Sequence, residues 1–109
     1  MTKPPVQSER NLQKAIRKWL VINGFEVIKL TTMRQYGSAG WPDLMVLDKA
    51  PRLPLFLEIK TEQGRTTPLQ DQRIKSLRNR GFPTFVVRSV EEMRVVVEAW
   101  LEYPTGRAR

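Results

Sequence analysis

The chain has 109 residues with 40% hydrophobic content, enough for one domain around one core and too apolar for general disorder. It contains no cysteine and no histidine, which excludes disulfides, thiolate metal sites and imidazole catalysis; chemistry is left to carboxylates, lysine, hydroxyl groups or a bound metal. The 19 Lys+Arg against 11 Asp+Glu give a formal charge of +8, which points to a polyanionic partner, with a basic surface kept for solubility as the plain alternative.

Residues 1–7 carry two prolines and no apolar pattern, and read as a flexible arm. No signal-peptide core follows Met1, and no apolar stretch approaches the roughly 20 residues of a membrane span, so a cytoplasmic protein is expected. Ser8 can cap a first helix whose apolar positions, Leu12, Ala15, Ile16, Trp19 and Leu20, follow the helical period, with Gly24 as the stop. Residues 25–30 alternate, with one slip, as a half-buried strand does. Residues 31–41 form a loop with Gly37, Ser38 and Gly40, in which Arg34 and Tyr36 could contact a nucleic-acid strand.

Residues 43–47 read as a short buried strand, 48–54 as a turn with two prolines, and 55–61 as a third strand; the short connection makes the last two antiparallel. Thr67 and Pro68 open a second helix with Ile74 and Leu77 facing inward and Gly81 ending it. Arg73, Lys75, Arg78 and Arg80 make that helix basic, either to track phosphates or simply to be solvated. Residues 84–87 are a fourth strand, and Ser89 to Glu92 a capping box for a last helix carrying Met93, Val96, Val97, Trp100 and Leu101. Residues 103–109 form a loose basic tail, which leaves 8–102 as the single folded domain. The fold class is α/β: a mixed sheet flanked by helices in the order α-β-β-β-α-β-α. The three tryptophans are expected in the core.

Pairing the second and third strands about Ala50 and Pro51 sets Asp43 opposite Glu58 or its neighbour at the open end of the hairpin. Opposed residues share a sheet face, and Glu58 and Lys60 share one by the period of two. Ile59 points to the other layer and leaves its carbonyl near the same place. Two carboxylates in contact repel, and a divalent cation relieves the conflict. Oxygen ligands without histidine or cysteine favour Mg²⁺ or Mn²⁺. Such an arrangement suits metal-assisted phosphodiester hydrolysis, with Lys60 stabilising the phosphate or positioning the attacking water. A Glu-x-Lys on a strand also reads as an ordinary cross-strand ion pair.

Gly40-Trp41-Pro42-Asp43-Leu44, Glu58-Ile59-Lys60, Thr67-Pro68-Leu69-Gln70 and Gly81-Phe82-Pro83, in this order, resemble the VRR-NUC family, a branch of the PD-(D/E)xK nuclease superfamily. The resemblance implies a restriction-endonuclease-like core and Mg²⁺- or Mn²⁺-dependent DNA cleavage. Under it, Asp43 and Glu58 match the metal-binding acids and Lys60 the active-site lysine. Glu9 is similar in placement to a helical glutamate that faces the metal directly or through water, and Gln70 matches a helical glutamine bordering the site. The resemblance further implies a stand-alone bacterial or phage endonuclease that works as a homodimer on branched DNA such as Holliday junctions. The alternative is a basic DNA-binding module without catalysis. Arg34, Tyr36, Arg73, Lys75 and Arg78 are the candidate DNA contacts.

Overall fold

Ser8 has extended backbone and accepts the amide of Asn11 at 3.1 Å, which starts helix α1 (Glu9–Ile22). The computed structural model describes residues 8–30 and 39–103. The N-terminal arm, Arg34, Tyr36 and the tail beyond Tyr103 lie outside the described residues. Leu12, Ile16 and Leu20 form the buried stripe of α1, and Gly24 turns the chain at φ +90°. Strand β1 (Glu26–Lys29) follows at the sheet edge, then β2 (Leu44–Leu47), β3 (Leu55–Ile59), helix α2 (Pro68–Asn79), β4 (Thr84–Val87) and helix α3 (Val90–Leu101). The expected element order and mixed sheet are what the chain adopts.

Spatial order follows chain order, β1-β2-β3-β4. β1 and β2 are antiparallel, as are β2 and β3, whereas β3 and β4 run parallel. That parallel pair needs a crossover, which α2 supplies. Leu44 faces Leu57 and Val46 faces Leu55, so the hairpin turns about Ala50 and Pro51 as counted. Leu55, Leu57 and Ile59 pack with Leu44, Val46 and Val87 beneath α1 and α3, whose Met93, Val97 and Trp100 complete the core. The alternate residues Phe56, Glu58 and Lys60 turn to the other face, where α2 lies and where Phe56 packs edge-on against Phe82 at 5.8 Å.

Three local expectations change. Glu92 does not close a reciprocal box on Ser89; its carboxylate accepts the amide of Arg88, one residue earlier, at 2.8 Å. The reciprocal box is at α2, where Thr67 and Gln70 each accept the other's amide. Of the tryptophans, Trp100 alone is fully buried, with its indole N–H donating to the Leu53 carbonyl at 2.8 Å. Trp19 is half-buried and packed against the core, as expected, and Trp41 is half-buried on the other face; each lies under an arginine. Tyr103, counted with the tail, has its carbonyl held by Arg52 at 2.7 Å.

Candidate active site

Antiparallel pairing places the start of β2 beside the end of β3, and the register extended by one residue sets Asp43 opposite Glu58. The Asp43 carbonyl accepts the amide of Leu30 at 2.8 Å, which ties it to the end of β1. Its side chain turns to β3, where Oδ2 accepts the Ile59 amide at 2.8 Å. The main-chain group of Ile59 that meets Asp43 is thus its N–H. Gly40 explains how this segment approaches α2. Its φ is +83°, and a Cβ there would stand 2.8 Å from Leu69 Cγ and 2.9 Å from the Leu69 carbonyl oxygen. Only glycine suits both the conformation and the space.

Glu58 is 1% exposed. Its Oε2 accepts from Gln70 Nε2 at 3.2 Å and stands 3.6 Å from Lys60 Nζ, while Oε1 is buried with no hydrogen-bond partner among the described residues. Gln70 therefore has two tasks. Its oxygen caps the Thr67 amide and its nitrogen holds Glu58. At the first turn of α1, Glu9 brings a third acid: one carboxylate oxygen from each of Glu9, Asp43 and Glu58 lies within 4.8 Å of the others. Burial, then repulsion from Asp43, push the Glu58 carboxyl up to about 8; Glu9 adds to the rise and Lys60 opposes it.

Three carboxyl groups face one ammonium here, more acid than an ion pair needs. An orphaned buried oxygen and an oxygen-only donor set fit a hard divalent cation. The five residues Glu9, Asp43, Glu58, Lys60 and Gln70, from α1, α2 and the adjoining ends of β2 and β3, come together at this end of the sheet.

The other candidates separate. Lys75 is exposed. Arg78 donates from Nε to the Thr84 carbonyl at 2.8 Å and covers Phe85, so it fastens α2 to β4. Arg73 lies over Trp41 at 4.9 Å. Arg88 escapes sequence reading altogether. Its Nη1 donates to the carbonyls of Thr61 at 2.7 Å and Gly64 at 2.6 Å, clamping the loop that follows Lys60. Gly64 in turn packs close to the Lys60 stem, since a Cβ on it would lie 3.5 Å from Lys60 Cδ. No pattern marks Arg88, because its acceptors are main-chain atoms of a distant loop.

A family model described as VRR-NUC domain matches residues 7–91. A solved structure described as a VRR_NUC domain protein has a TM-score of 0.72 at 19% identity, covering 93% of this chain and 93% of that one, a likeness of fold. Another, described as a VRR_NUC domain, has a TM-score of 0.70 at 30% identity, covering 84% of this chain and 96% of that one. No curated protein matches. With the family model spanning most of the chain and a solved relative at 30% identity over most of both, the chain belongs to the VRR-NUC family.

Proposed function

We propose that the chain is a metal-dependent DNA endonuclease of the PD-(D/E)xK type. Membership in the VRR-NUC family implies a nuclease-type function. The observation that carries the finer reading is the acid cluster: three carboxylate oxygens within 4.8 Å, beside one lysine, in a chain of charge +8. Asp43 and Glu58 would hold Mg²⁺ or Mn²⁺, with the Ile59 carbonyl and with Glu9 directly or through water. When bound, such an ion polarises a phosphoryl oxygen and makes a bound water more acidic. Lys60 neutralises charge building on the phosphate or positions the attacking water. Gln70 keeps the Glu58 carboxylate turned toward its neighbours.

The substrate in this reading is DNA, preferably branched, with the four-way junction as the leading form. A homodimer suits it, because a junction with two-fold symmetry needs two active sites to be cut on two strands. The cytoplasm of a bacterial or phage-infected cell is the expected setting. A non-catalytic basic module is the competing reading, but acids grouped at the nucleic acid repel phosphate and bring a pure binder nothing.

The test is cleavage of labelled four-way, flap and duplex DNA with Mg²⁺, Mn²⁺ or a chelator. The parent is expected to cut with either ion and not with chelator. Asp43→Ala, Glu58→Ala and Lys60→Ala are each expected to bind DNA and fail to cut. Asp43→Ala and Glu58→Ala proteins that cut as fast as the parent would falsify the assignment.

A further inference from the structure

We propose that Arg73, seated on Trp41, is a preformed contact for a nucleic-acid backbone phosphate next to the one held at the acid cluster. The position of that phosphate rests on the nuclease reading above; the chemistry of the contact rests on Arg73 itself. Arg73 follows Gln70 by three residues on α2, so it stands one helical turn from the amide that touches Glu58. Its guanidinium carbon is 4.9 Å from the centroid of Trp41, which is itself packed on Phe56 at 6.0 Å.

The Nε of Arg73 is buried with no hydrogen-bond partner among the described residues. The other half-buried arginines are engaged: Arg52 with Asp48 and the Tyr103 carbonyl, Arg88 with two loop carbonyls. Buried donors are ordinarily satisfied, so an Nε–H left without an acceptor marks a guanidinium held in place by its stack on Trp41 rather than by hydrogen bonds. Beside it is a hollow of about 320 Å³ lined by Leu69, Gln72, Arg73 and Ser76, which adds neutral donors and no carboxylate. A phosphate diester, charged and acceptor-only, matches that donor set. Gly40 fixes the arrangement, because its close approach to Leu69 holds the Trp41 segment against α2.

A phosphate contact of this kind positions the strand without touching reacting bonds. It belongs in KM and in binding, with kcat preserved. Arg94 is a matched control: it too lies over a tryptophan, Trp19 at 5.8 Å, but on α3 and 3.4 Å from Glu91.

The experiment measures binding of labelled duplex and four-way DNA by anisotropy, in chelator, across a salt series. Cleavage kinetics with Mn²⁺ accompany it. The proteins are the parent, Arg73→Gln, Arg73→Lys and Arg94→Gln. Arg73→Gln is expected to weaken binding about tenfold and to lower the salt slope by about one. Its KM rises while kcat stays within about twofold. Arg73→Lys restores the slope and only part of the affinity, since it keeps the charge but loses the fork and the stack. Arg94→Gln matches the parent. Unchanged slope and affinity in Arg73→Gln overturn the proposal, as does an equal loss in Arg94→Gln, which reduces the effect to net charge. If Arg73→Gln does not fold, an Arg73→Lys protein with parental affinity and KM overturns it. A parent that binds with an Arg73-dependent slope but cuts nothing with either metal keeps the phosphate contact and removes the nuclease reading. A parent that cuts, with Arg73→Gln unchanged in slope and KM, removes the contact alone.

Discussion

Glu58 sits in the interior beside two other acids, where its charge is unwelcome. Its carboxyl is pushed from 4.5 up to about 8, by burial first and by Asp43 next. A raised acid stabilises the folded state fully below its unfolded value and loses that contribution as pH rises through the folded one. Metal-free protein is therefore expected to lose melting temperature between about pH 4.5 and about pH 8, by a free energy on the order of a few kcal/mol. Glu58→Gln removes the titration and keeps the volume. In chelator, calorimetric melts should show the variant near the parent at low pH and above it at pH 9. A parent melt that does not change with pH sinks this account. Mg²⁺ added at pH 8 should raise the parent's melting temperature, because it binds only the folded cluster, and leave Glu58→Gln almost unmoved.

Two connections hold the site-bearing elements in register. Gly40 joins the β1–β2 segment to α2 through a positive φ and a backbone approach that leaves no room for a methyl group. Gly40→Ala is expected to cost about 2 to 4 kcal/mol in urea unfolding and to weaken Mn²⁺ binding in calorimetric titration, since Asp43 lies three residues on. A variant as stable as the parent would show that the segment can move away from Leu69 freely. Arg88 acts at the other connection. Its guanidinium holds the carbonyls of Thr61 and Gly64 just past Lys60, so Arg88→Ala is expected to lose about 2 to 4 kcal/mol. Single-turnover cleavage should slow as well, with DNA affinity nearly kept. Loss of affinity with an unchanged cleavage rate would instead make Arg88 a DNA contact.

At the scale of the whole molecule, a net charge of +8 surrounds a cluster of three acids. On the proposed reading the basic surface attracts DNA, while the cluster repels the phosphate that has to enter it. A divalent ion bound there would reconcile the two. In chelator at low salt and pH 9, where the Glu58 carboxyl is charged, Asp43→Asn with Glu58→Gln is expected to bind duplex DNA more tightly than the parent, by about threefold to tenfold. Equal or weaker binding by the double variant would mean that the strand does not approach the acids. Light scattering should give the mass of a dimer at working concentration; a monomer mass would remove the paired-site account of junction cutting.

The local decisions were legible in the sequence. Ser8, Thr67 and Ser89 each announce a helix start, because a cap acts within three residues. The hairpin register follows from a turn centred on Ala50 and Pro51, and the period of two then sets Asp43, Glu58 and Lys60 on one face. Convergence from a distance was not legible from spacing. Glu9 joins the acids only because α1 docks with its first turn at the end of the sheet; resemblance alone had suggested it. The basic residues of α2 look alike, yet Arg78 is engaged by the Thr84 carbonyl, Lys75 stays exposed and Arg73 is stacked on Trp41 with an Nε that has no partner among the described residues. A helix pattern says which residues face away from the core. Which acceptor each then meets depends on how the elements pack, and that was decided by the tertiary structure.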